Sequence, residues 1–135
     1  MNKTLTLKYH VASIAWASLI VLLSGLPGSN FPHFTFWEKI GIDKLAHAFF
    51  YGVLLVLITV GLVKQYRFSS YRKKSLRVAF LITLVFGIIV EMLQEVIFYQ
   101  RLADPADVMA NLVGCLMGVA YFRWNFSECL KASKW

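Results

Sequence analysis

The stretch VAFLITLVFGIIVEMLQEVIF, residues 78–98, decides the fold. A run of about twenty apolar residues is long enough to cross the hydrocarbon core of a bilayer as an α-helix. This run has that length, and its only charges are Glu91 and Glu95. Glu91 falls roughly two turns short of the end of the run at 1.5 Å per residue. A carboxylate at that depth is costly unless it meets a partner or water, so an ionisable residue there marks a functional site. Glu95, nearer the end, reads as an interfacial acid.

Three further apolar runs flank this one, at about residues 9–26, 44–63 and 107–124. Of the 135 residues, 59% are hydrophobic, and the mean hydropathy is +0.62. Collected into long runs, this composition describes a polytopic membrane protein rather than a soluble core. The length fits a single domain, residues 1–135. The expectation is an all-α integral membrane protein with four transmembrane helices. The aromatic and polar residues at 31–42 suit a short interfacial segment between helices 1 and 2. Lys3 and Lys8 precede the first run, but no Ala-x-Ala site follows it, so it reads as an uncleaved helix rather than a signal peptide.

The net charge of +7 does not point to nucleic acid, because of where the cations lie. Lys64, Arg67, Arg72, Lys73, Lys74 and Arg77 fill the gap between two runs, with no acid among them. That is the pattern of a cytoplasmic loop under the positive-inside rule. With four spans, Lys3, Lys8, Arg123, Lys131 and Lys134 join them, leaving Lys39, Lys44 and Arg101 outside. The bias selects an N-in, C-in orientation. Cys115 and Cys129 have neither metal-ligand spacing nor the look of a disulfide framework.

In that orientation Asp43, His47, Glu91, Gln94, Glu95, Arg101, Asp104, Asp107 and Asn111 gather near the extracytoplasmic end. Asp43, His47 and Tyr51 share one helix face at i, i+4 and i+8. Asp107 and Asn111 continue to Gly114 and Gly118, whose G-x-x-x-G spacing admits a neighbouring helix closely. Arg101 and His47 are the available partners for Glu91, and Asp43 is placed to orient the His47 ring. His47, Glu91 and Asp107 are also candidate ligands for a divalent metal. Each residue has a plainer reading: Glu91 and Arg101 tying two helices, Asp107 capping a helix start, His47 as a packing residue. No nucleophile elbow or phosphate loop is present, and no cofactor is expected.

These same residues carry a resemblance. Asp43-Lys44 with His47 and Tyr51, Glu91-x-x-Gln94, Arg101, Asp107-x-x-x-Asn111 and the glycines at 114 and 118 resemble the VanZ-like family of small bacterial membrane proteins. The resemblance runs from about residue 43 to 118; the first helix matches only in hydrophobicity. It implies a multi-pass protein of the bacterial cytoplasmic membrane and a role at the cell envelope. The family takes its name from a protein that lowers susceptibility to the glycopeptide teicoplanin, and the resemblance implies no particular reaction. The leading functional expectation is an outward-facing pocket binding a polar or anionic headgroup, a lipid-linked wall precursor or a glycopeptide. Asp43, His47, Glu91, Gln94, Arg101, Asp107 and Asn111 would form it. The alternatives are an enzyme acting on a lipid headgroup, with Glu91 or His47 as general base and a metal assisting, and a scaffold that binds nothing.

Overall fold

The computed structural model describes residues 7–25, 41–66, 70–97 and 105–131. These form helices α1 (Val11–Ser24), α2 (Ile42–Gln65), α3 (Ser75–Ile97) and α4 (Pro105–Lys131), with a 3-10 turn at Ser70–Lys74 leading into α3. No strand occurs among the described residues. Most of the expected interfacial segment lies outside them, and Ile42 already begins α2. Arg101 and Asp104 also lie outside.

Local chemistry sets several boundaries. Gly41 precedes α2 with φ of 66°, a left-handed conformation that costs glycine nothing and other residues 1–2 kcal/mol or about that. Pro105 opens α4, where its missing N–H is no loss. Past Trp124, where the apolar run ends, α4 continues to Lys131 with a kink at Phe126 (φ −131°, ψ 23°). α1 has 14 residues and rises about 21 Å at 1.5 Å per residue. That is less than the hydrocarbon thickness of about 30 Å. α2, Tyr71–Ile97 and Pro105–Leu130 are long and apolar enough to cross a membrane.

Around an apolar core that includes Leu54, Leu55 and Phe122, burial departs from that of a water-soluble protein in two respects. Thr59, Thr83, Glu91, Gln94 and Asn111 are buried, while Leu81, Val85, Ile89, Met92 and Val96 stand on the surface of the bundle. A solvent of lipid chains explains both: apolar faces meet hydrocarbon, and polar groups must be satisfied inside. Thr59 and Thr83 meet that demand locally, donating to the carbonyls of Leu55 and Ala79 four residues back.

Contacts fix the helix directions. Trp16 Nε1 donates to Phe50 O at 3.0 Å, and His10 Nε2 lies 2.7 Å from Gln65 Oε1, so α1 runs antiparallel to α2. Tyr51 faces Gly87 and His47 faces Glu91, so α3 is antiparallel to α2 as well. α4 runs parallel to α2 and packs on it more extensively than any other pair of helices does. Consequently α2 and α4 both begin at the end of the bundle where α1 and α3 finish.

Glycine makes the α2–α4 contact possible. A Cβ on Gly114 would lie 2.7 Å from Ala48 Cα and collide with Ala48 O; one on Gly118 would lie 2.8 Å from Gly52 O. One on Gly52 would lie 2.9 Å from Gly114 O. These neighbours are backbone atoms, which cannot rotate aside. Gly114→Ala is therefore expected to cost about 1–3 kcal/mol, the range for overpacking. Val113→Ala, on the exposed surface, should be nearly neutral. Thermal unfolding of the two variants in detergent micelles checks this.

Candidate functional site

The polar residues collect one to two turns inside the end at which α2 and α4 begin. His47, Glu91 and Asn111 each lie about 8–9 Å from the nearer terminus of their helices at 1.5 Å per residue. The parallel setting of α2 and α4 then pairs their side chains in steps. Lys44 Nζ donates to Asp107 Oδ1 at 3.1 Å. One turn deeper, His47 Nδ1 lies 3.0 Å from Asn111 Oδ1, a bond in which the imidazole donates when its proton is on Nδ1. The glycine contact follows immediately below.

α3 adds the acid. Glu91 is 3% exposed, and its Oε1 lies 3.7 Å from His47 Nδ1. The side chain thus points into the bundle, where Coulomb attraction is much less screened than in water. Tyr51 stacks parallel to His47 with 6.3 Å between ring centroids. Both Tyr51 and Asn111 flank Gly87, where a Cβ would lie 2.9 Å from the Tyr51 ring and 3.3 Å from Asn111 Nδ2.

Two donors in this group lack acceptors. Tyr51 and Asn111 are each 1% exposed, yet neither Tyr51 Oη nor Asn111 Nδ2 has a hydrogen-bond partner. An unsatisfied buried polar group costs about 1–3 kcal/mol, so such atoms cluster where a fold serves something besides its own stability. The side chains that carry the two orphans both lie against the His47 imidazole, which is 3.7 Å from the Glu91 carboxylate, with the Lys44–Asp107 pair one turn further out. That arrangement can bind an oxygen-rich group, with Lys44 for its charge and the phenol and amide as neutral donors.

The family model described as VanZ/LLP1 matches residues 6–126. The chain belongs to that family. No curated protein and no solved structure matches the chain. The VanZ/LLP1 match covers α1, α2, α3 and most of α4, and so includes every residue of the cluster.

The residues singled out in the sequence divide into three groups. His47, Glu91, Asp107 and Asn111 are brought together, and Gly114 and Gly118 lie at the α2–α4 contact beneath them. Asp43 turns outward: its side chain is 60% exposed and its Oδ2 lies 3.5 Å from Lys44 Nζ. Asn111, on another helix, holds the position against His47 that the i, i+4 spacing suggested for Asp43. Gln94 is buried, but its Nε2 donates to Ser24 O at 3.1 Å, closing the end of α1. Arg101 belongs to the third group, outside the described residues.

Lys44 and Tyr51 were legible but misjudged in weight. Lys44 counts in a charge tally as a rim cation, and its i, i+3 spacing to His47 was the signal that both share a face. Tyr51 completes the i, i+4 series from His47, and only the tertiary fold shows its hydroxyl to be orphaned. The Gln94 bond generates a test. Gln94→Leu should lower stability by about 1 kcal/mol, the net worth of one hydrogen bond, and loosen α1. Proteolysis near residue 25 and thermal unfolding report the two effects.

Proposed function

We propose that this VanZ/LLP1 protein is a single four-span membrane domain, N-in and C-in, in the bacterial cytoplasmic membrane. Its polar cluster faces outward and binds an anionic or polar headgroup at the outer leaflet. A lipid-linked wall precursor carries such a group, and a lipoglycopeptide is a second candidate from the same envelope. The observation that supports this reading is the pair of buried, acceptorless donors, Tyr51 Oη and Asn111 Nδ2, beside the Lys44–Asp107 pair. A phosphate or carboxylate would supply the oxygen atoms those donors need, and its charge would compete with Asp107 for Lys44. Arg101, four residues before Pro105 in the sequence, would supply a second positive charge to the bound group.

The orientation follows from the cations. Lys64, Arg72, Lys73, Lys74 and Arg77 border the connection between α2 and α3, at the end opposite the cluster. By the positive-inside rule that end is cytoplasmic, which puts α1 across the membrane with its short apolar length extended by flanking residues. Labelling with a membrane-impermeant maleimide tests it, after Cys115 and Cys129 are replaced by serine. A cysteine at Asp43 should react in intact cells, and one at Tyr71 only after lysis; the reverse pattern would sink the orientation.

The binding reading has its own test. Lys44→Ala, Arg101→Ala and Asn111→Ala variants that insert normally should bind vesicles doped with lipid-linked wall precursor at least tenfold more weakly. That corresponds to about 1.4 kcal/mol or more. Teicoplanin tolerance, measured in the same cells, should fall in parallel. Unchanged binding and tolerance in all three variants would end the proposal.

A further inference from the structure

We propose that His47, Glu91 and Asp107 form a binding site for one divalent transition-metal ion of the Zn2+ or Mn2+ type. The three residues come from three different helices, and one donor atom from each lies within 4.8 Å of the other two. In a tetrahedral site with bonds of about 2.0–2.1 Å, donors stand about 3.4 Å apart. His47 Nδ1 and Glu91 Oε1 are already at 3.7 Å. The third donor stands within 4.8 Å of both, about 1.4 Å or less beyond the spacing of a tetrahedral site.

The donor set selects the ion. One imidazole with two carboxylates suits Zn2+ or Mn2+. Ca2+ prefers six to eight oxygens, and Mg2+ keeps most of its water. Thiolate-loving ions find no sulfur in this set. Asn111 Oδ1, 3.0 Å from His47 Nδ1, is near enough to add a further oxygen once Nδ1 gives its lone pair to the ion and no longer donates a proton to the amide.

Two independent features bear on the same place. The first is the pair of orphaned donors, Tyr51 Oη and Asn111 Nδ2, both 1% exposed. A metal with three protein ligands keeps a position for an oxygen ligand, and that oxygen is an acceptor for buried donors beside it. The second is Lys44, whose ammonium already bonds Asp107 Oδ1 at 3.1 Å. Its side chain is 40% exposed, so it can swing outward when a doubly charged ion takes its place. The metal site stands on this geometry; it rests on the headgroup reading only in making a headgroup phosphate the natural fourth ligand.

The test uses full-length protein purified in detergent and stripped with chelator. Zn2+ is titrated by calorimetry, and Co2+ by its visible absorption, which reports coordination by nitrogen and oxygen. Wild type should take up close to one equivalent. His47→Ala, Asp107→Asn and Glu91→Gln should each weaken uptake at least tenfold, with folding checked by circular dichroism and gel filtration. If Glu91→Gln does not fold, the other two carry the test. Lys44→Gln should bind Zn2+ several-fold more tightly, because it removes a positive charge from beside the ion; a purely structural ion-pair cluster would not respond this way. Uptake by wild type no greater than by the His47→Ala/Asp107→Asn double variant would overturn the proposal. So would a Lys44→Gln variant that binds more weakly than wild type. Precursor-vesicle binding that persists in EDTA alongside a flat Zn2+ titration would overturn the metal site and leave the headgroup reading standing. Zn2+ uptake that follows the variants as described, with vesicle binding indifferent to them, would support the metal and remove the headgroup.

Discussion

The backbone of α4 rests directly on the backbone of α2, and the polar cluster exists because of that approach. Gly52, Gly114 and Gly118 leave no side chain between the two helices. In lipid, helices gain little from hydrophobic association, so close van der Waals packing of this kind holds them together. One turn above the contact the same approach puts His47 against Asn111, and one turn above that, Lys44 against Asp107. Were the helices farther apart, His47 and the short Asn111 side chain would not meet. The sequence feature that builds the fold is therefore also the one that builds the site.

α3 contributes under a different constraint. Its apolar surface faces outward, as Leu81, Val85, Ile89 and Val96 show, and the opposite face carries Thr83, Gly87, Val90, Glu91 and Gln94 inward. The polar residues on that face are answered separately. Thr83 closes on its own helix, Gln94 on the end of α1, and Glu91 lies against the imidazole of α2. Gly87 provides the space in which Tyr51 and Asn111 lie side by side. A helix that reads in sequence as one long apolar run thus has one polar, specific face.

Much of this was legible in the sequence, for definable reasons. α2, α3 and α4 announce themselves because twenty apolar residues in a row have few other uses. Their ends were less legible. Hydropathy reads where a helix leaves an apolar medium, whereas the helix itself ends where hydrogen bonding ends, so α3 begins at Ser75 and α4 continues to Lys131. The gathering of His47, Glu91, Asp107 and Asn111 could be inferred from depth along alternating helices. Which partner each residue takes could not, because that depends on helix rotation and crossing. Gln94 shares a face with Glu91 yet bonds α1, and Asp43 shares one with His47 yet turns to solvent. The orphaned hydroxyl of Tyr51 is a tertiary fact with no local sign.

The parallel pair α2 and α4 also has a mechanical meaning. With backbone against backbone, a small slide or roll of one on the other would drive Ala48 or Gly52 into the facing main chain. The pair is built as one block that carries Lys44, His47, Tyr51, Asp107 and Asn111. Among the described residues of the cluster, Glu91 is the one carried by α3. α3 is thus a separate wall of the cluster, and the α2–α4 pair is the base that holds its other described polar groups in register.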